Sequence, residues 1–192
     1  KRLAMTNVLA VSKLGAIRKL GRLATSSVML LAASASFSVT SGEAVLEENN
    51  TLHEPFSALL SEYVKTIDNG ASTQLDYKGL KQNSNRLNQY LNGLAKVEKS
   101  TFDRWDKADQ LAFLINAYNA YTIDLILTEY PEIDSIRDLG GFFSSPWKKE
   151  VAPLLGKTLT LDEIEHELIR GQSQNTKGYN EPRIHFAVNC AS

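Results

Sequence analysis

Lys107-Ala108-Asp109-Gln110-Leu111-Ala112-Phe113-Leu114-Ile115-Asn116-Ala117-Tyr118-Asn119-Ala120-Tyr121-Thr122-Ile123-Asp124-Leu125-Ile126-Leu127-Thr128-Glu129 is the stretch on which the fold turns. Its apolar residues cover almost every side of a 3.6-residue period instead of one stripe. The spacing therefore predicts a helix over 107–129 that lies at the centre of a core. Pro131 ends it, because the residue before a proline is biased away from the helical region. Two amides interrupt the apolar surface, Asn116 and Asn119, and a separation of three places them on one face. A buried amide is costly unless it is hydrogen-bonded. The pair either positions a catalytic group or a substrate carbonyl, or satisfies the backbone of a nearby loop.

Towards the N-terminus, Phe56, Leu59, Leu60, Tyr63, Val64 and Ile67 recur at helical spacing, and Asn69-Gly70 supplies a stop. A short extended piece around Leu75-Asp76-Tyr77 leads to a second helix carrying Leu80, Leu87, Tyr90, Leu91 and Leu94. Beyond the central helix, Glu132–Lys149 is an irregular connection. Extended pieces follow at Lys148–Ala152 and Lys157–Leu159, with a turn at Gly156. Thr160-Leu161-Asp162-Glu163 is a capping box that opens a helix over Leu161–Arg170, stopped by Gly171. A polar loop, Gln172–Asn180, precedes an apolar run at Ile184–Asn189 that reads as a buried strand. The expected fold class is α+β: one domain, mostly helical, with a small β-sheet. A buried strand seldom ends a domain so close to its last core residue, so the domain is expected to be incomplete at the C-terminus.

The chain has 192 residues, 43% of them hydrophobic, and a formal charge of −1. Lys1, Arg2, Lys13, Arg18, Lys19 and Arg22 stand in the first 35 residues, which hold no acid; the rest has 15 basic against 22 acidic residues, a net of −7. Such a body lacks the clustered cations that phosphate contacts need, so nucleic acid is excluded as a partner. Residues 1–35 have the layout of a signal peptide: cations, then Val28-Met29-Leu30-Leu31-Ala32-Ala33, then Ala33-Ser34-Ala35 as a small-x-small cleavage site. The apolar core is shorter than the roughly 20 residues a bilayer span needs, so no membrane span is expected once the signal is removed. An uncleaved amphipathic anchor and a mitochondrial-type transit peptide are the rival readings. Residues 36–50 read as a flexible linker and 51–192 as the folded domain, exported to the periplasm or the cell exterior.

Candidate chemistry gathers at the end of the chain. Cys190 is the only cysteine, with His185 five residues before it. An exported protein with one cysteine holds a free thiol, an intermolecular bond, a pairing with a partner cysteine lost with the missing C-terminus, or a small buried hydrophobe. Strand alternation would place His185, Ala187 and Asn189 on one side and Ile184, Phe186, Val188 and Cys190 on the other, which separates His185 from the thiol. His166 is then an equal candidate to activate Cys190 as a nucleophile. Glu163, His166 and Arg170 share a helix face, either as a base with its orienter or as an exposed ladder. No phosphate-binding glycine loop, metal-spaced His or Cys cluster, or nucleophile elbow occurs, and neither a metal nor a cofactor is expected.

Together, the Leu111–Ala120 helix with its Asn-x-x-Asn, Leu159-Thr160-Leu161-Asp162-Glu163-Ile164-Glu165-His166 and Pro182-Arg183-Ile184-His185-Phe186-Ala187-Val188-Asn189-Cys190-Ala191-Ser192 resemble the bacterial and plant "domain of unknown function 547" family. The resemblance extends over about residues 55–192. The family usually carries Trp where Leu114 stands, and it normally continues past the cysteine with a Cys-Pro pair and a further helical region. The resemblance implies an exported domain without an assigned activity, whose polar signature falls on Asn116, Asn119, Glu165, His166, Arg183, His185, Asn189 and Cys190. A second cysteine following closely would allow Cys190 a disulfide and remove it as a nucleophile. Two functions are expected. One is an envelope module binding a peptide or an envelope protein, with Arg183, Asn189 and Glu165 as binding residues. The alternative is a thiol-dependent hydrolase or transferase using Cys190, with His185 or His166 as base and Asn116, Asn119 or Asn189 as orienter or oxyanion donor.

Overall fold

The computed structural model describes residues 41–70, 72–141, 144–172 and 177–189. The described chain runs through α1 (Ser41–Tyr63), β1 (Val64–Ile67), β2 (Ser72–Leu75), α2 (Tyr77–Gln82), α3 (Ser84–Ala95), α4 (Lys99–Phe102) and α5 (Lys107–Glu129). Short 3₁₀ turns at Ile136–Leu139 and Pro146–Lys148 lead to β3 (Glu150–Leu154) and β4 (Lys157–Thr160). A π-wound helix, Glu163–Ile169, and the single-turn α6 (Ile184–Ala187) complete it. The architecture is α+β, mostly helical with two separate two-stranded antiparallel sheets.

The central helix forms where its sequence predicts. Asp106 caps α5 by accepting from the Asp109 amide at 2.9 Å, and Phe113 through Ile123 are buried without a break. It is long and apolar enough to cross a membrane by length and composition, but 78% of its apolar window is buried in this fold, as befits a core helix. Full burial of each large side chain here contributes roughly 1.5–3 kcal/mol. Phe113 sits among rings, 5.2 Å from Trp105, 5.6 Å from Phe102 and 6.0 Å from His53 between centroids. On the same side α1 packs on α3, where Phe56 stacks on Tyr90 at 4.8 Å.

Three expected elements take another form. The first helix stops at Tyr63, and Val64 and Ile67 belong instead to β1, which pairs with β2 from Val64↔Leu75 to Ile67↔Ser72. Asn69 and Gly70, with φ of 53° and 96°, belong to the connection between these strands. A β-branched Val-Lys-Thr-Ile run before Asn-Gly is a hairpin signal that outweighs three residues of helical periodicity. The second helix is two: Asn83 breaks it, its amide donating to the Leu80 carbonyl and its side chain to Gly79. Last, Ile184–Asn189 is not a strand. Its first four residues form α6, and Val188 leaves the turn in extended conformation. Glu181 and Pro182 start this turn: the Glu181 carboxylate accepts from the Arg183 amide at 2.9 Å, and Pro182 takes the second position of the turn closed by the Ile184 amide on the Glu181 carbonyl.

α1 begins at Ser41, inside the stretch expected to be linker. The expected signal segment 1–35 lies outside the described residues.

Candidate functional site

The two amides of α5 meet different fates. Asn119, 1% exposed, donates from Nδ2 to the Ala187 carbonyl at 2.9 Å and accepts at Oδ1 from the Asn189 amide at 3.0 Å. One carboxamide thereby holds both ends of a three-residue segment, as a neighbouring strand would. Asn116, 7% exposed and one turn earlier, has no hydrogen-bond partner among the described residues. Its amide is not among the polar groups sealed from solvent without a partner, so it stays open to a ligand group in place of water.

The segment held by Asn119 presents a polar and aromatic outer surface. In the turn of α6, Ile184 and Ala187 point inward, 4% and 5% exposed, while His185 and Phe186 point out. His185 is thus separated from buried Ala187 and Asn189, whereas a strand would have set all three on one side. Phe186 is 63% exposed, and the two rings meet edge-on at 5.9 Å. Arg183 and Glu181 form a bidentate pair, both contacts at 2.7 Å, which holds the Glu181 carboxyl down at about 2. Cys190 lies outside the described residues.

The helix opened by Thr160 is capped as expected. The Thr160 amide donates to Glu163 Oε2 at 2.7 Å, and the Glu163 amide to Thr160 Oγ1 at 3.1 Å. Its winding, however, rearranges the expected Glu163–His166–Arg170 face. A π-helix closes its bonds at i→i+5. Arg170, whose amide bonds to the Glu165 carbonyl, pairs its guanidinium with the Glu165 carboxylate at 2.9 and 3.1 Å. Glu163 is occupied as the cap. His166 is left beside Asp162, with Nε2 3.9 Å from its Oδ1, too far for a hydrogen bond. Its Nδ1 is sealed from solvent and has no partner. Glu165, a candidate for ligand contact, is engaged within its own helix.

One titratable group was not read from the sequence. His53 bonds through Nδ1 to the Tyr90 hydroxyl at 2.7 Å, and its Nε2 is buried without a partner. Burial pulls this imidazole down to about 4, so it is neutral at pH 7. Its spacing of three before Phe56 and seven before Leu60, on the buried face of α1, is the signal that could have exposed it. A groove of about 330 Å³ beside it is lined by Thr51, Leu52, Pro55, Arg86, Gln89, Tyr90 and Gly93, none of them among the expected site residues. Among the described residues no group of three or more His, Cys, Asp or Glu is placed to hold a metal ion.

The fold and the Asn119-held turn define a small α+β domain with a polar seam along its central helix. Residues 102–192 match the family described as "Protein of unknown function, DUF547", and over this segment the chain is similar to that family. The match begins at Phe102, so α1 to α3 precede it. No curated protein and no solved structure matches the chain.

Proposed function

We propose that this domain is a binding module for peptides or for a partner protein in the cell envelope. The observation that carries the reading is Phe186: a large apolar side chain, 63% exposed, on a turn whose backbone is fixed from the core by Asn119. Interfaces concentrate their energy in aromatic anchors on rigid supports, and other exposed large apolar side chains are absent among the described residues. Arg183 stands beside it with its pair side chain 70% exposed and adds a charged rim. The basic, acid-free leader supports export.

The test is an array of immobilised, end-blocked decapeptides of varied sequence probed with the full chain. A subset of spots should retain the protein, and Phe186→Ala should weaken retention about tenfold or more while leaving the melting temperature unchanged, as for loss of an aromatic anchor. An array that retains nothing above background, or a Phe186→Ala protein that binds as before, ends this reading.

A second reading has its own observation. Asn119 fixes the backbone up to Asn189, the residue before Cys190, which is how a nucleophilic thiol would be given a fixed approach. Alkylation at near-neutral pH followed by mass mapping decides it. Cys190 should react quickly in the native chain; labelling only after denaturation removes thiol chemistry from consideration.

A further inference from the structure

We infer that Asn116 reads the main chain of a bound polypeptide, pairing its carboxamide with a carbonyl and the amide two residues on in an extended segment laid beside residues 187–189. This rests on the peptide-binding reading and names the group that recognises the ligand and the part of the ligand that is read.

Asn116 and Asn119 carry the same side chain one turn apart on the same helix. Asn119 shows what this side chain does here: it donates to one backbone carbonyl and accepts from the backbone amide two residues on, the edge that an extended chain offers. Val188, between those two groups, is itself extended, with φ −89° and ψ 118°. Asn116 is 7% exposed, keeps a small opening to solvent and lacks a partner among the described residues. Its unmet donor and acceptor match the same edge of an extended chain, a carbonyl and the amide two residues on.

Spacing supports the same geometry. Residues three apart on a helix hold their Cβ atoms about 5–6 Å from one another. Neighbouring strands lie about 4.7–4.9 Å apart. A segment held by Asn116 would therefore run alongside the segment held by Asn119 at close to strand separation. The charge state points to the same ligand class. A neutral carboxamide matches a neutral peptide group.

The experiment uses the full chain and the best-retained decapeptides, measured in solution by fluorescence anisotropy. Asn116→Ala should weaken every binding peptide by about tenfold and leave their rank order unchanged, since a lost backbone hydrogen bond carries no side-chain information. Phe186→Ala should instead reorder them. N-methylation of successive peptide amides should find one position whose methylation weakens wild-type binding equally and adds nothing on Asn116→Ala. If Asn116→Ala binds all peptides like wild type, or loses only particular sequences, Asn116 is not a main-chain reader. If the wild-type chain binds none of them, the underlying peptide-binding reading falls and this inference with it. Should Asn116→Ala fail to fold, the N-methyl series on the wild type decides alone, and a series without a sensitive position overturns the inference.

Discussion

Replacing Asn119 by alanine removes a donor and an acceptor together and leaves the Ala187 carbonyl and the Asn189 amide unpaired in a buried place. We expect a loss of about 2–4 kcal/mol, read as a lower urea midpoint at unchanged m-value. Asn116→Ala should act in the opposite sense or not at all on stability, because it deletes an amide that is already unpaired. The contrast between two asparagines three residues apart is a sharp residue-scale test of the division of labour in α5. The sequence shows both amides and their shared face, since helical spacing dictates it. Which of them is satisfied depends on where residues 187–189 pass, a contact spanning about 70 positions that local pattern does not carry. His53 stayed hidden for the same reason, as its partner Tyr90 comes from another helix.

Elements were legible where one signal acted alone. Pro131 and continuous apolar character define α5, and Thr160 with Glu163 defines the start of the π-wound helix. They were misread where a turn residue competed with periodicity: Asn69-Gly70 makes a hairpin, Asn83 splits a helix, and Glu181-Pro182 starts a turn. The change from α to π winding is not written in residue spacing at all, and it is what moves Arg170 from His166 to Glu165. At this scale Glu163→Ala should cost about 1 kcal/mol through loss of the cap, measured by thermal unfolding. Gly171→Ala should cost more. Its φ is +65°, and an added Cβ would run into the backbone of Lys177 and Gly178. The strain of a positive φ alone is about 1 kcal/mol, so a fall in Tm of several degrees is expected.

For the whole molecule, acid is the informative perturbation. His53 titrates near 4 in the folded chain and near 6.5 when unfolded. Between those values the unfolded chain binds the extra proton, so stability is complete above about pH 6.5 and declines as pH falls towards 4. The ring keeps some surface, which limits the effect to about 2–3 kcal/mol over that window. Subtracting the stability curve of His53→Phe from that of wild type isolates this contribution from the carboxylates. A difference flat between pH 4 and 6.5 would show that the imbalance at His53 is not felt in folding.

The bond from Asn189 to Asn119 also sets a clock. The Asn189 amide belongs to no helix or strand, yet its acceptor is a side chain rooted in the most deeply packed helix. Its hydrogen can exchange with solvent only when the turn lifts from that helix or when the helix itself comes apart. In deuterium oxide it should persist far longer than the exposed amides around it. With Asn119 shortened to alanine it should exchange as fast as a loop.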